Sequence, residues 1–177
     1  MAREFETFPN IVTMFFTRAR EQSEQPFLWH KAPSGWTSQS WAEVAAKVAS
    51  LAAALKRLGL VPGDRVMLVS ENRPEWCIAD LAIMAAGCVT VPTYTTNTER
   101  DHTHIVENSG ASAVIVSTAK LARNLLPAVM RSAKARIVIG IEDIRVGQSG
   151  DVAIHDFTRL IESETPDVAS ISAAALT

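Results

Sequence analysis

Two cysteines, Cys77 and Cys88, are all that the 177 residues contain. They are too far apart for a CxxC pair and sit in apolar stretches. They therefore read as two small buried hydrophobes in a reducing compartment rather than a disulfide or redox site. Charge of one sign is equally scarce. With 17 Lys and Arg against 19 Asp and Glu, the net charge is −2 and the pI is near 6.1, which excludes a global attraction to nucleic acid or anionic lipid. No apolar run reaches the roughly 20 residues that span a bilayer. The best candidate, 78–91, is too short and carries Asp80. The opening MAREFETFPN lacks a signal-peptide core, so a cytoplasmic chain is expected. Glycine-rich loops are missing too. There is no GxxxxGK[ST] and no GxGxxG, and without clustered glycines the backbone cannot close around a phosphate at a helix N-terminus.

What is present is an alternation. A composition 47% hydrophobic and 20% charged argues against general disorder. A chain of this length can form one domain that buries about 70% of its unfolded surface. Asn10 caps a first helix to about Glu21, with Ile11, Phe15 and Ala19 on one face. Residues 26–31 and 35–37 make a short antiparallel hairpin around a turn at 32–34. Ser40 and Glu43 form a capping box for a helix striped by Val44, Val48, Leu51, Leu55 and Leu58. From 59 to 117 the order is strand, helix, strand, helix, strand. Parallel strands joined by helical crossovers follow, because parallel neighbours cannot share a tight hairpin.

In that segment Val61-Pro62-Gly63-Asp64 suits a type II turn. Strands are expected at 65–70, 88–91 (stopped by Pro92) and 113–117. Pro74 opens one helix and Thr98 caps the next, with Asp101 in the reciprocal position. A further helix at 120–133 and a strand at 136–140 complete four parallel strands with helices on both faces. Residues 147–150 read as a loop, 152–154 as a short strand and 156–162 as a short helix. Residues 163–177 lack periodicity and are expected to be mobile.

Few side chains suggest chemistry. His102 and His104, two apart on a helix, point to opposite sides and form no metal pair, so one packed and one solvated is the expectation. His30 and His155 have no recognisable nucleophile partner, and no catalytic or metal residue is assigned. Asn72 and the run Thr93-Tyr94-Thr95-Thr96-Asn97 each follow a strand at its C-terminal end, the ligand side of a parallel sheet. They can contact a substrate, but turn and cap roles explain them more readily. Lys120, Arg123, Arg131 and Lys134 read as the wet face of a helix.

The stretch LGLVPGDRVMLVSENRPEWCIADLAIMAAGCVTVP at 58–92 strongly resembles adenylate-forming acyl-CoA synthetases, and Asn-Arg-Pro-Glu-Trp at 72–76 resembles the long-chain fatty-acid branch. Gly35-Trp36-Thr37, residues 41–58 and the run from Thr93 fit the same pattern. The resemblance covers about residues 5–162 and rests on many spaced positions. It implies an α/β fold, the first part of the family's large domain, over residues 1–162, with 163–177 as a stub. It also implies a parent that joins a fatty acid to coenzyme A through an acyl-adenylate, using ATP and Mg2+. Phosphoryl chemistry needs positive donors around the phosphates. The family supplies them from a Ser/Thr/Gly-rich loop ending in Lys, an acidic metal ligand and a Lys on a mobile C-terminal domain, none of which this chain contains. The expectation is an inactive N-terminal fragment that holds no cofactor itself and offers Asn72, Tyr94, Thr95 and Thr96 as one wall of the parent's site. Contact of the parent with the inner face of a membrane is allowed. Exposed sheet faces and an unpaired edge predict self-association. The alternative is a stand-alone acyl-binding or protein-interaction module on the same scaffold.

Overall fold

The computed structural model describes residues 6–144 and 152–174. The loop expected at 147–150 lies outside them. Helix α1, Ile11–Gln22, opens on Asn10, whose side-chain oxygen accepts from the Thr13 N–H at 2.8 Å. Its buried face is Val12, Phe15, Phe16 and Ala19. Ile11, expected on that face, is half exposed. Strands β1, Pro26–Ala32, and β2, Gly35–Ser40, pair antiparallel. The hairpin runs further than expected because Ser38, Gln39 and Ser40 also find partners across it. Phe27 stacks on Trp41 at 3.7 Å and both lie near Phe15, which fastens the hairpin to α1 and α2. Helix α2, Trp41–Arg57, starts on the expected Ser40–Glu43 capping box.

A five-stranded parallel sheet follows, one strand more than expected, in the order β4-β3-β5-β6-β7. Its strands are β3, Arg65–Val69; β4, Val89–Thr93; β5, Ala113–Val116; β6, Ile137–Gly140; and β7, Ala153–Asp156. The helices between them are α3, Pro74–Ala85; α4, Glu99–Ser109; and α5, Ala119–Arg131. The short segment read at 152–154 is therefore a full sheet member, paired with β6 from Ala153 to Asp156.

Alternation along the strands sorts the core into two layers. Val66, Leu68, Ala113, Ile115 and Ile139 face α1, α2 and α3, while Met67, Val69, Val114, Val116 and Val138 face α4 and α5. Burial on both faces is why these strands read as unbroken apolar runs.

Pro92 does not stop β4 but lies inside it, at the edge of the sheet. The Val89 N–H donates to Asp64 O, so alternation turns positions 90 and 92 to the open side. Proline lacks the N–H that an incoming strand would use, and the edge is blunted. After β7 come α6, Phe157–Glu162, and α7, Val168–Ala174. The second lies where no element was expected. It forms because Asp167 caps it and Ile171 is buried in the α1–α3 layer, a tertiary contact that periodicity over so short a stretch cannot reveal. Residues 175–177 of the stretch expected to be mobile lie outside the described residues. No described helix is long and apolar enough to cross a membrane.

Candidate functional site

The first strand of the sheet, β3, is followed by an excursion to β4 on one side, and the chain then crosses back to β5 on the other. In such doubly wound sheets ligands bind beyond the strand C-termini near this reversal. There the structure places Ser70, Glu71 and Asn72 after β3, Tyr94 and Thr95 after β4, and Ser117 after β5. A groove of about 580 Å³ is lined by Glu71, Asn72, Trp76, Thr93, Tyr94 and Thr95. A second, of about 890 Å³, runs between the hairpin and the start of α3 and is lined by Trp29, Trp36, Asn72, Arg73, Trp76 and Glu142 among others. Asn72 and Trp76 line both grooves and form the wall between them.

Of the four residues singled out from the sequence, Asn72, Tyr94 and Thr95 thus meet in one groove. Thr96 does not line it and points to solvent. Trp76 and Glu71 were missed. Glu71 directly follows β3, so its position past a strand end is the signal that could have found it, whereas Trp76 lies in the first turn of α3 and has the spacing of an ordinary core residue. Tyr94 is 80% exposed, so its ring is available to a ligand rather than held by the core.

The electrostatics of this end are mixed. Ser117, fully buried, donates its hydroxyl to the Glu71 carboxylate, and this bond holds the Glu71 carboxyl below its ordinary 4.5. Arg73 bonds Glu75 and Glu142, each at 2.8 Å, tying the start of α3 to the segment after β6. Cys77, which also lines the larger groove, has its thiol pushed up by burial and then by Asp80, which makes it a poor nucleophile. The Thr93 Oγ1 in the smaller groove is buried and has no hydrogen-bond partner among the described residues.

His102 is packed and His104 exposed. His30 meets the Thr37 hydroxyl across the hairpin, at 3.1 Å from Nε2, which gives it a structural partner. Among the described residues no group of three or more His, Cys, Asp or Glu is placed to hold a metal ion. The described residues do not fit an ATP phosphate cradle either. Gly59, Gly63, Gly87 and Gly110 serve turns and helix ends that precede strands. Gly140, at the ligand end of β6, is covered by the chain itself. A Cβ there would stand 2.6 Å from Ile144 Cγ1 and 2.8 Å from the Glu142 carbonyl oxygen.

The sequence model for AMP-binding enzymes matches residues 15–171. The chain belongs to the AMP-binding enzyme family. It is 34% identical over 109 residues to the long-chain-fatty-acid–CoA ligase FadD15 of Mycobacterium tuberculosis, an alignment covering 62% of this chain and 18% of that one. An uncharacterized protein of the same organism, Rv1549, is 32% identical over 85 residues, covering 48% of this chain and 49% of the other. Among solved structures, the fold matches a benzoate CoA ligase from Burkholderia xenovorans LB400 with a TM-score of 0.71 and 26% identity, over 90% of this chain and 29% of that one. The chain therefore spans about a fifth of the length of FadD15. The family match confirms the resemblance read from residues 58–92, and the five-stranded parallel sheet with flanking helices is the expected α/β architecture.

Proposed function

We propose that this chain is the scaffold portion of an AMP-forming long-chain fatty-acid CoA ligase and that it carries no turnover on its own. In the parent, ATP and Mg2+ would activate the fatty acid as an acyl-adenylate, and coenzyme A would displace AMP. Asn72, Tyr94 and Thr95, which share the smaller groove, would form one wall of the acyl or coenzyme A site. The observation that carries this reading is the family match over residues 15–171, and the name of FadD15 supports the long-chain assignment. Chemistry supports the inactivity. Adenylation needs cationic and backbone N–H donors around the phosphates, whereas the smaller strand-end groove presents Glu71, Asn72 and hydroxyls.

The purified 177-residue chain is expected to give no fatty-acid-dependent exchange between ATP and pyrophosphate. Exchange above the fatty-acid-free control would overturn the inactivity. Reading the gene past codon 177 tests the parent: continuation into a Ser/Thr/Gly run ending in Lys is expected.

A second reading, a stand-alone acyl-binding module, is favoured by one observation. The similarity to Rv1549 extends over about half of that protein, a far larger share than for FadD15. A fluorescent fatty acid that binds the isolated chain and is released by Asn72→Ala with Tyr94→Ala would select it.

A further inference from the structure

Bases and acids are unevenly spread along this chain. Acids outnumber bases overall, yet from 108 to 141 there is no Asp or Glu, while Lys120, Arg123, Arg131, Lys134 and Arg136 all fall there. All five are exposed. Helix α5 turns Leu121, Leu125, Leu126 and Val129 inward. Its opposite face carries Lys120, Arg123, Pro127 and Met130 at steps of three and four residues, which makes one line along a helix. Met130, 47% exposed beside these charges, gives the face a flexible apolar contact point.

The fold uses few of these cations. Arg131 bonds Glu99 at 2.6 Å and the Thr103 hydroxyl at 3.1 Å, both through Nη2. Lys134 reaches toward Gly110 at the end of α4. The side chains of Lys120, Arg123 and Arg136 make no ion pair or hydrogen bond among the described residues, and Lys120 only feels Glu71 at a distance. Unpaired cations gathered in one place are the complement of a partner that carries carboxylates or phosphates.

The border of the patch decides between those partners. Helix α4 packs beside α5 and exposes Glu99, Asp101 and Glu107, so the sign of the charge reverses within about 10 Å, one helix width. A bilayer or a nucleic-acid duplex, negative throughout, would meet those acids as well. A single helix laid along the 13 residues of α5 can set its carboxylates on the cations alone.

We propose that the outward face of α5 docks an acidic amphipathic helix of another protein, with carboxylates on Lys120 and Arg123 at one end and on Arg131 and Lys134 at the other, and with an apolar side chain over Met130. Exposed charge pairs govern the encounter and its salt dependence more than the affinity, so the contact is weak and reversible. None of these residues lines either groove, and the inference does not rest on the ligase reading.

Fluorescence anisotropy on the full 177-residue chain tests it. The probe is a labelled helical peptide of about 15 residues, with Glu one turn to either side of a central Leu. Binding is expected at about 0.03 M salt and should weaken about fivefold or more at about 0.3 M, where the Debye length is about 6 Å. Lys120→Glu with Arg123→Glu is expected to weaken it about tenfold or more, and Met130→Ser about threefold, with urea midpoints left at the wild-type value. Should the charge reversal lower the midpoint, Lys120→Gln with Arg123→Gln gives the same readout in smaller measure. Absence of binding at low salt, or either variant binding like wild type, would overturn the proposal. So would a peptide with Gln in place of Leu that binds equally well, or an anionic vesicle or DNA duplex that displaces the peptide at equal charge. A dimer in light scattering that the charge reversal dissociates would overturn it too, since the face would then belong to a second copy.

Discussion

At the N-terminal end of the sheet Arg65 donates to the carbonyls of Ser109, Gly63 and Gly110 at 2.9, 3.0 and 3.2 Å, and Asp64 accepts from the Ser112 hydroxyl and the Val61 N–H. At the C-terminal end Asn72 and Tyr94 stand exposed on open grooves, and Thr93 and His102 each hold a buried polar atom without a partner among the described residues. One end has its turns cross-linked by a single guanidinium and a single carboxylate. The other is tied as well, through Arg73 and through Ser117 on Glu71, but leaves Asn72 and Tyr94 facing solvent. A parallel sheet brings every crossover to both ends, so the difference lies in side chains and not in topology. Residues that close the N-terminal end serve stability, whereas those that leave the C-terminal end open are the ones a ligand can use.

Gly140 should break that division most strongly, because it is at the open end yet structural. Its conformation is ordinary, but the Ile144 side chain and the Glu142 carbonyl occupy the space a Cβ would need. Ile144 can turn away, but the backbone carbonyl cannot without moving the segment that Arg73 holds through Glu142. Gly140→Ala is expected to destabilise by about 3 kcal/mol. It should be read as a lower urea midpoint with an unchanged slope. A shift worth under about 0.5 kcal/mol would mean that residues 141–144 lift freely and that the open end lacks this support.

Arg65→Met tests the closed end. The substitution keeps the apolar stem and deletes three donated bonds. Charge-assisted bonds contribute about 1.5–3 kcal/mol each when isolated. Here the guanidinium is only part-buried and the freed carbonyls can take water, so about 2 kcal/mol in total is the expected loss. If the midpoint does not move, the closed end is held by its backbone turns alone, and the contrast between the two ends loses its energetic content.

Much of the closed end could be read from the sequence, because its signals are local. Asp64 donates its N–H to Val61 O across the turn written by Pro62-Gly63, and Gly63 adopts φ 88°. Thr98 and Asp101 form the expected capping box, and Gly110 ends α4 in the left-handed region. The errors arose where pairing or packing decides. Pro92 looked like a stop because its missing N–H was judged on the strand alone; at an edge that N–H would have faced outward. Residues 152–154 read as a short strand but not as a member of the parallel sheet, and no element was read at α7; the two are four and seven residues long and are fixed by pairing with β6 and by the buried Ile171. In the groove, Asn72 and Tyr94 could be found from strand ends alone. Trp76 could not, since its spacing in α3 is that of an ordinary core residue, and Ser117 reaches Glu71 only because β3 and β5 are neighbours.

His102 offers the finest test of the contrast, through pH. It lies in the first turn of α4 with 1% exposure and its Nδ1 unpartnered, and burial lowers its pKa from an ordinary 6.5, outweighing the opposing pull of Asp101. Above 6.5 the ring is neutral in folded and unfolded chains alike, and no stability depends on its protonation. As the pH falls below 6.5 the unfolded chain takes up a proton that the folded chain resists, so stability declines until the pH passes beneath the folded value and then levels off. His155 shifts in the same direction, through burial and then Arg57, and shares part of the window. His30 faces the Thr37 hydroxyl instead. Urea midpoints taken between about pH 7 and about pH 5 are expected to fall less steeply for His102→Phe than for wild type. His155→Gln should account for a separate part of the slope. Parallel curves for wild type and His102→Phe would show that the packed imidazole finds a partner or water when protonated.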